Sequence, residues 1–366
     1  MSEIKSYLVK IIILIFIISI IYEFNLVNIS ISNKIISFDS LRSFSDELKK
    51  PSLSENSINQ VLETTTRIST STTITTSTAI TYKDSVINVK IFNLSSSLEP
   101  KEEYEQIQCR KSAFFHVSTT LCVHRVDLDV HVSGSIMRDG VWERHIIMPF
   151  TDYIHNNPDW LVLDVGANIG QYSLYAAKME REVLAVEPFH DNILRIHKAS
   201  QLENTTKKIT LVKNGLSNKR NEVKRLQPNN GNIGGQSLLN HKNEQYNKID
   251  LEKDKYMVET ILFDDLIDYL PKKQNGEEYS KAILKIDIEG FEPYAFQNAS
   301  KIFDRLDIRI IFMEWGNFPG QKEMHNLIEE MINFLRHRRY KAVENKRDLI
   351  FEQWKTWPWD IIWVKE

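Results

Sequence analysis

Apolar and polar positions divide the chain into three stretches. A nearly continuous apolar run, Tyr7 to Tyr22 (YLVKIIILIFIISIIY), carries Lys10 as its only charge. A polar stretch follows, in which Thr64 to Thr81 (TTTRISTSTTITTSTAIT) is low in complexity and rich in hydroxyls. From about Glu103 onward, short apolar runs alternate with amphipathic ones. Trp160–Val165, Glu182–Val186, Ile209–Lys213, Met257–Leu262, Ala282–Ile286, Ile308–Met313 and Ile361–Val364 have the character of buried strands. Helical spacing is expected over Gln171–Met179, Asn192–Leu202 and Met324–Leu335. Strands alternating with helices predict an α/β fold, a mostly parallel sheet covered on both faces.

The first stretch bears on topology. Sixteen residues make a helix of about 24 Å. That is short for an apolar bilayer core of about 30 Å, but usable if Lys10 snorkels and Phe24 to Val27 contribute. Lys5 and Lys10 on one side and Glu23 on the other favour a cytosolic N-terminus. A cleaved signal peptide is the alternative, with Ile11 to Ile21 as its apolar region. Bulky Tyr22, Glu23 and Phe24 then stand where cleavage wants small residues, and Ser30-Ile31-Ser32 is a weak, distant site. The preferred reading is a short cytosolic tail (1–6), a transmembrane signal anchor (7–27) and a Ser/Thr-rich stem (28–102). The stem composition buries too little apolar surface to offset chain ordering, so disorder is expected there. A folded region follows, opening with an N-terminal segment (103–159) that holds Cys109 and Cys122. This is the layout of a single-pass type II membrane protein with its catalytic part in the lumen of the endoplasmic reticulum or Golgi. Sequons occur at Asn28, Asn93, Asn204 and Asn298; Asn28 lies too close to the membrane for easy modification, and the others would then make it a glycoprotein.

Composition adds two limits. Lys and Arg number 46 against 49 Asp and Glu, a net charge of 46 − 49 = −3, which argues against a broad nucleic-acid surface. Cys109 and Cys122 are the only cysteines. A bridge between them would stabilise by about 3 kcal/mol on the chain-entropy account, and a pair of reduced, buried thiols is the other reading. His116 and His124 do not complete a usual zinc spacing with them.

Two constellations carry candidate chemistry. Asp164-Val165-Gly166-Ala167-Asn168-Ile169-Gly170 leaves a strand and enters a helix, the place where glycines let a backbone approach a ligand. Glu187 closes the next strand and is placed to accept both hydroxyl hydrogens of a ribose. The turn lacks the third glycine of the dinucleotide fingerprint, and no phosphate-loop lysine follows. The second constellation is Lys285-Ile286-Asp287-Ile288-Glu289-Gly290-Phe291-Glu292, at the carboxyl end of another strand. Its carboxylates suit an acid/base pair or a cation site, and Glu292 equally suits the start of the next helix. Glu314, ending a further strand on the same edge, is an additional candidate. Asp127-Leu128-Asp129 has the spelling of a glycosyltransferase acidic pair, but alternation within a short strand explains it more simply.

The stretches VLDVGANIGQYSLYAAK, EVLAVEPFHDN, KNGLSN, GGQSL and ILKIDIEGFEPYAF, in that order, resemble the FkbM-type S-adenosylmethionine-dependent methyltransferases. CVHRVDLDVHVSGSIMRDGVWE is similar to the segment that precedes the domain in membrane-anchored animal members. The resemblance implies a class I methyltransferase (Rossmann-like) fold with a seven-stranded sheet over 160–366, S-adenosylmethionine (SAM) as cofactor, and methyl transfer to oxygen. It places Asp164, Gly166, Asn168 and Gly170 at the cofactor turn, Glu187 on the ribose and Pro188 and Phe189 beside the adenosine. Asn192 falls at a polar position after EPF, and Asn214 with Gly215 lies near the adenine. Asp287, Glu289 and Glu292 match the acidic motif facing the methyl group. Asp287 is expected to orient the acceptor or act as its base, helped by Glu289, with Lys285 tuning both. A divalent cation on those carboxylates is chemically allowed but not expected. The expected acceptor is a hydroxyl on a small molecule, glycan or lipid; the alternative is an inactive, membrane-tethered binding protein on the same fold. Lys219 to Tyr256, long, basic and asparagine-rich, departs from the pattern as an acceptor-binding insert or a mobile loop.

Overall fold

A computed structural model describes residues 88–98, 102–114, 117–238, 246 and 249–366, together with the backbone of 30–31 and 34–35. The chain divides into two units, 1–81 and 82–366. In the first, Ser30–Ile31 pairs antiparallel with Lys34–Ile35. The expected anchor (7–27) and most of the stem lie outside the described residues. Among the described residues no helix is long and apolar enough to cross a membrane.

The second unit begins with strand β1 (Ile91–Phe92) and a hairpin of β2 (Cys109–Phe114) and β3 (Val117–Cys122). Helices α1 (Val132–Asp139) and α2 (Arg144–Asn156) lead into β4 (Leu161–Val165), α3 (Gln171–Lys178), β5 (Val183–Val186), α4 (His190–Glu203) and β6 (Ile209–Val212). Next come the short strands β7 (Gly215–Leu216), β8 (Val223–Arg225) and β9 (Met257–Ile261). The chain continues through β10 (Lys281–Ile286), α5 (Glu292–Phe296), α6 (Ser300–Arg305) and β11 (Asp307–Glu314). It closes with α7 (His325–His337), β12 (Tyr340–Glu344), β13 (Arg347–Asp348) and β14 (Asp360–Lys365).

The main sheet has the order β13-β12-β14-β11-β10-β4-β5-β6-β1. Five adjacent strands, β11 to β6, run parallel, while β14 is antiparallel to both of its neighbours. The sheet is therefore mixed, and it has nine strands among the described residues where seven were expected. The two additions, β1 and β13, are two-residue edge pairings too short to show a hydrophobic period. One expected strand also moves. Met257–Ile261 pairs with β7 and β8 in a separate three-stranded sheet. Its place in the main sheet is taken by β12 (YKAVE), where Lys341 and Glu344 interrupt the apolar run.

Period-two alternation assigns the strand side chains to the two faces. Leu161, Leu163, Val165, Leu184, Val186, Leu284, Ile286, Ile311 and Met313 enter one core with α6, α7 and a group of tryptophans. Val162, Val183, Ala185, Ile283, Ile310 and Phe312 enter the other, with α2, α3, α4 and the hairpin. On α7, Ile328, Met331, Ile332 and Leu335 recur at helical spacing and are buried, so the helix docks along one stripe. The hairpin covers the second face at α3 and α4. Cys109 and Cys122 stand opposite each other across it and are joined by a disulfide. Glu203 of α4 meets Lys111 of the hairpin at 2.7 Å and Lys178 of α3 at 3.1 Å.

Asp127-Leu128-Asp129 is a turn and not the strand that was expected. Asp129 is fully buried and accepts from the Val132 and Ser133 amides at 3.2 and 2.9 Å. The first amides of a helix lack intrahelical partners, and this carboxylate supplies one for α1.

Candidate active site

The carboxyl ends of β4, β5 and β10 meet where the strand order departs in both directions from β4, the position at which open α/β sheets take ligands. A cleft opens there. Gly166, Ala167, Asn168 and Ile169 from the end of β4 line it, as do Glu187, Pro188 and Phe189 after β5. Asn214 and Gly215, after β6, and Lys285, Asp287 and Glu289, at the end of β10, complete the ring of strand ends.

The turn after β4 is dictated by crowding. Gly166 has φ +80°, and a Cβ on it would lie 1.8 Å from the Asp287 carbonyl oxygen. Only glycine fits between the two strand ends, so the turn and the β10 loop are locked together. Asn168, also at positive φ, donates its backbone N–H to Glu187 Oε2 at 2.8 Å. Phe189 N–H donates to Glu187 Oε1 at 2.8 Å, so each carboxylate oxygen is fixed by a backbone amide. Burial pushes the Glu187 carboxyl up to about 8 in spite of those two donors. Phe189 stacks on Tyr256 at 5.4 Å between centroids.

At the β10 end, Lys285 is 3 % exposed and its Nζ lies 3.0 Å from Asp287 Oδ2. Burial opposes its charge, but Asp287 and Glu143 together hold its pKa above the usual lysine value. The same ammonium lies 5.3 Å from the centre of the Tyr172 ring. Burial, reinforced by the Asp287 charge, raises the Glu289 carboxyl to about 7.

Not every expected residue reaches the cleft. Asp164 is fully buried beneath it, where Oδ2 accepts from Ser173 N and Oγ at 3.0 and 2.5 Å and so holds the start of α3. Burial raises this carboxyl to about 6. Gly170 also sits back from the cleft, its Cα facing Ile196. Asn214 lines the cleft, but its side chain ties strands together through Lys90 N, Asn88 O and Glu259 O. Glu292 is buried and accepts from Ile288 N at 2.8 Å, bracing the loop rather than facing the cleft. Glu314 accepts from Asn317 and Trp359 side chains at 2.9 and 2.8 Å, outside the cleft wall. Burial, with Asp287, Glu289 and Glu292 nearby, pushes it up to about 10.

Other wall residues were not singled out from the sequence. Val132, Trp142 and Glu143 come from the segment before residue 160. Gly234, Gly235, Gln236 and Leu238 come from the asparagine-rich region, part of which is thus a wall of the cleft. Asn192 holds that wall, donating to the Gly234 carbonyl at 3.1 Å while its Oδ1 lies 2.7 Å from His124 Nε2. Both regions left a trace in the sequence: GGQSL and the stretch ending in VWE belong to the motifs quoted above.

Residues 164–342 match the methyltransferase FkbM domain. The chain carries an FkbM-family methyltransferase domain. The crystal structure of methyltransferase FkbM from Methylobacillus flagellatus KT aligns at 15 % identity and a TM-score of 0.33, over 56 % of this chain and 44 % of that one. An rRNA methylase from Streptococcus thermophilus aligns at 14 % identity and a TM-score of 0.32, over 60 % and 96 % of the two chains. A protein from Streptococcus mutans solved with S-adenosylhomocysteine (SAH) aligns at 11 % identity and a TM-score of 0.33, over 60 % and 97 %. No curated protein matches the chain. The FkbM domain begins on the last residues of β4, so Val132, Trp142 and Glu143 are cleft residues that lie before it.

The residues present fit a nucleoside cofactor. The Gly166 turn leaves bare backbone at the cleft wall, Glu187 presents a fixed carboxylate, and Phe189 with Leu216, Leu226 and Leu238 supplies an apolar surface beside it. Among the described residues no group of three or more His, Cys, Asp or Glu is arranged to hold a metal ion.

Proposed function

We propose that this FkbM-domain chain transfers a methyl group from SAM to a hydroxyl of a small molecule, glycan or lipid. The observation that carries this reading is one cleft with two different ends: a braced carboxylate on the glycine turn, and a Lys285–Asp287 pair beside Glu289. SAM, when bound, supplies an already electrophilic methyl group. The side chains therefore have to hold the acceptor oxygen in line and take its proton. Asp287, fixed by Lys285, suits the orienting role as acceptor of a hydroxyl hydrogen bond. Glu289, raised to about 7, is the better proton acceptor near neutral pH. The membrane anchor, the lumenal compartment and glycosylation remain part of the proposal through the N-terminal run and the sequons.

The test is methyl transfer from radiolabelled SAM to separate glycan, lipid and small-alcohol pools by the full-length protein. Asp287→Asn should cut transfer by at least about 100-fold while SAH affinity stays within about threefold. Unchanged transfer in that variant would remove Asp287 from the mechanism. Firm SAH binding with no transfer to any pool would instead favour a binding protein.

A further inference from the structure

The cleft has a tenant-specific end that the FkbM domain alone does not build. This inference rests on the reading that the cleft binds SAM. With the ribose at Glu187, the covalent structure of that cofactor carries its amino-acid part away from β5, across the Gly166 turn, towards β10. That end of the cleft must then meet a zwitterion, an ammonium and a carboxylate a few ångströms apart.

Glu143 stands at this end. It lies on the cleft wall with Trp142, Tyr172, Lys285 and Asp287. Two hydrogen bonds clamp the chain just before it: Trp142 N–H donates to Gln171 Oε1 at 2.8 Å, and Gln171 Nε2 donates to the Trp142 carbonyl at 3.0 Å. Glu143 itself has φ +45°, a left-handed conformation that costs a non-glycine residue on the order of 1 kcal/mol and persists only where surroundings impose it. It precedes α2, yet its side chain makes no capping bond to that helix. Instead Oε2 accepts a long, 3.4 Å hydrogen bond from the Tyr172 hydroxyl. Asp287 pairs directly with Lys285 at 3.0 Å, whereas the direct contact of Glu143 is the longer one to Tyr172.

We propose that Glu143, supplied by the segment before the FkbM domain, is the anionic contact for the ammonium group of the cofactor's amino-acid part. Lys285 stands nearby as the cation for the carboxylate of the same zwitterion. Burial raises the Glu143 carboxyl to about 7, so an arriving ammonium replaces its proton.

Calorimetry on the full-length protein with two probes tests this. SAH carries the amino-acid part, and 5′-deoxy-5′-methylthioadenosine keeps adenine, ribose and thioether but lacks it. Glu143→Gln should weaken SAH about tenfold or more and leave the methylthioadenosine affinity unchanged, which also serves as the folding control. Glu143→Asp, keeping the charge at shorter reach, should fall between. Wild-type affinity for SAH should drop as pH falls below about 7, and that dependence should vanish in Glu143→Gln. The other charged and titratable groups facing Glu143 are Tyr172, Lys285, Asp287, Glu289, His145 and Asp360, and a pH dependence that survives the substitution would belong to them and overturn the proposal. Equal weakening of both probes would make Glu143 a structural brace and also overturn it, as would no change in either. If the wild-type protein binds neither probe, the SAM reading itself fails.

Discussion

The two ends of the cleft are built on opposite principles. At the β5 end, polar side chains are tied to backbone: Glu187 to the Asn168 and Phe189 amides, Asn214 to Lys90 N, Asn88 O and Glu259 O, Asn192 to the Gly234 carbonyl. At the β10 end, charges answer one another: Lys285 with Asp287, and Glu143 and Glu289 each raised to about 7. Backbone amides do not titrate or swing, so the first end presents one fixed surface. The second end is held by charges and not by backbone, so it responds to what enters. A fixed recognition end beside a responsive end suits the proposed transfer, in which the cofactor is held still while a proton moves.

The largest expected effect comes from breaking the element the two ends share. Gly166→Ala would force a Cβ to within 1.8 Å of the Asp287 carbonyl oxygen, at a φ of +80°. Backbone would have to move on both sides, at a cost of about 3 kcal/mol or more. Thermal unfolding should fall by about 10 °C and SAH binding should be lost. Gly170→Ala has a similar φ but meets the Ile196 side chain at 2.8 Å, which can shift, so its loss should be clearly smaller. Equal losses would show that strained φ, and not the locking of two strand ends, governs the turn.

Next in size are substitutions that separate the ends. Glu187→Gln places an amide donor against either the Asn168 or the Phe189 N–H, so one backbone amide loses its acceptor. SAH affinity should fall about 10- to 100-fold. Glu289→Gln removes a proton acceptor but no backbone tie from its carboxylate, and should leave SAH affinity within about threefold while slowing transfer. Swapped phenotypes would invert the assignment of the two ends.

Much of this is legible in the sequence. Apolar runs located β4, β5, β6, β10, β11 and β14, because a strand buried on both faces must be apolar throughout. They misled at Met257–Ile261, since an apolar run does not name its partner, and they passed over Tyr340–Glu344, whose Lys341 and Glu344 break the run. At the site, motif order brought Gly166, Asn168, Glu187, Lys285, Asp287 and Glu289 to one cleft. Asp164 read as a ligand residue because sequence gives adjacency and not direction; strand alternation turns it inward, onto Ser173. The place of Glu143 at the β10 end of the cleft was beyond reach for a related reason. That residue is 142 positions from Lys285, and nothing in local pattern predicts that α2 begins beside β10.

The smallest expected effect concerns stability and sharpens why both ends titrate. Glu187 and Glu292 are raised to about 8, and Glu143 and Glu289 to about 7, each by burial first. Their ordinary value is 4.5, so between about pH 4.5 and 8 the folded chain holds protons that the unfolded chain has released. Stability therefore falls as pH rises through that window, by up to about 1.4 kcal/mol per pH unit for each such group. His124 works the other way: burial lowers it to about 4, so protonation of the unfolded chain removes stability as pH drops below 6.5. The interval from pH 6.5 to 8 isolates the carboxyls. Glu292 is the group to test because it touches neither end of the cleft, and its buried Oε2 has no hydrogen-bond partner among the described residues. Glu292→Gln keeps an acceptor for the Ile288 amide and removes one titrating proton. Melting temperature against pH should decline across this interval in the wild-type protein and decline less steeply in the variant, by about 2–4 °C per pH unit. Parallel slopes would mean that Glu292 stays ionised in its buried position, and that the loop carrying Asp287 and Glu289 is braced by a charge instead of a neutral carboxyl.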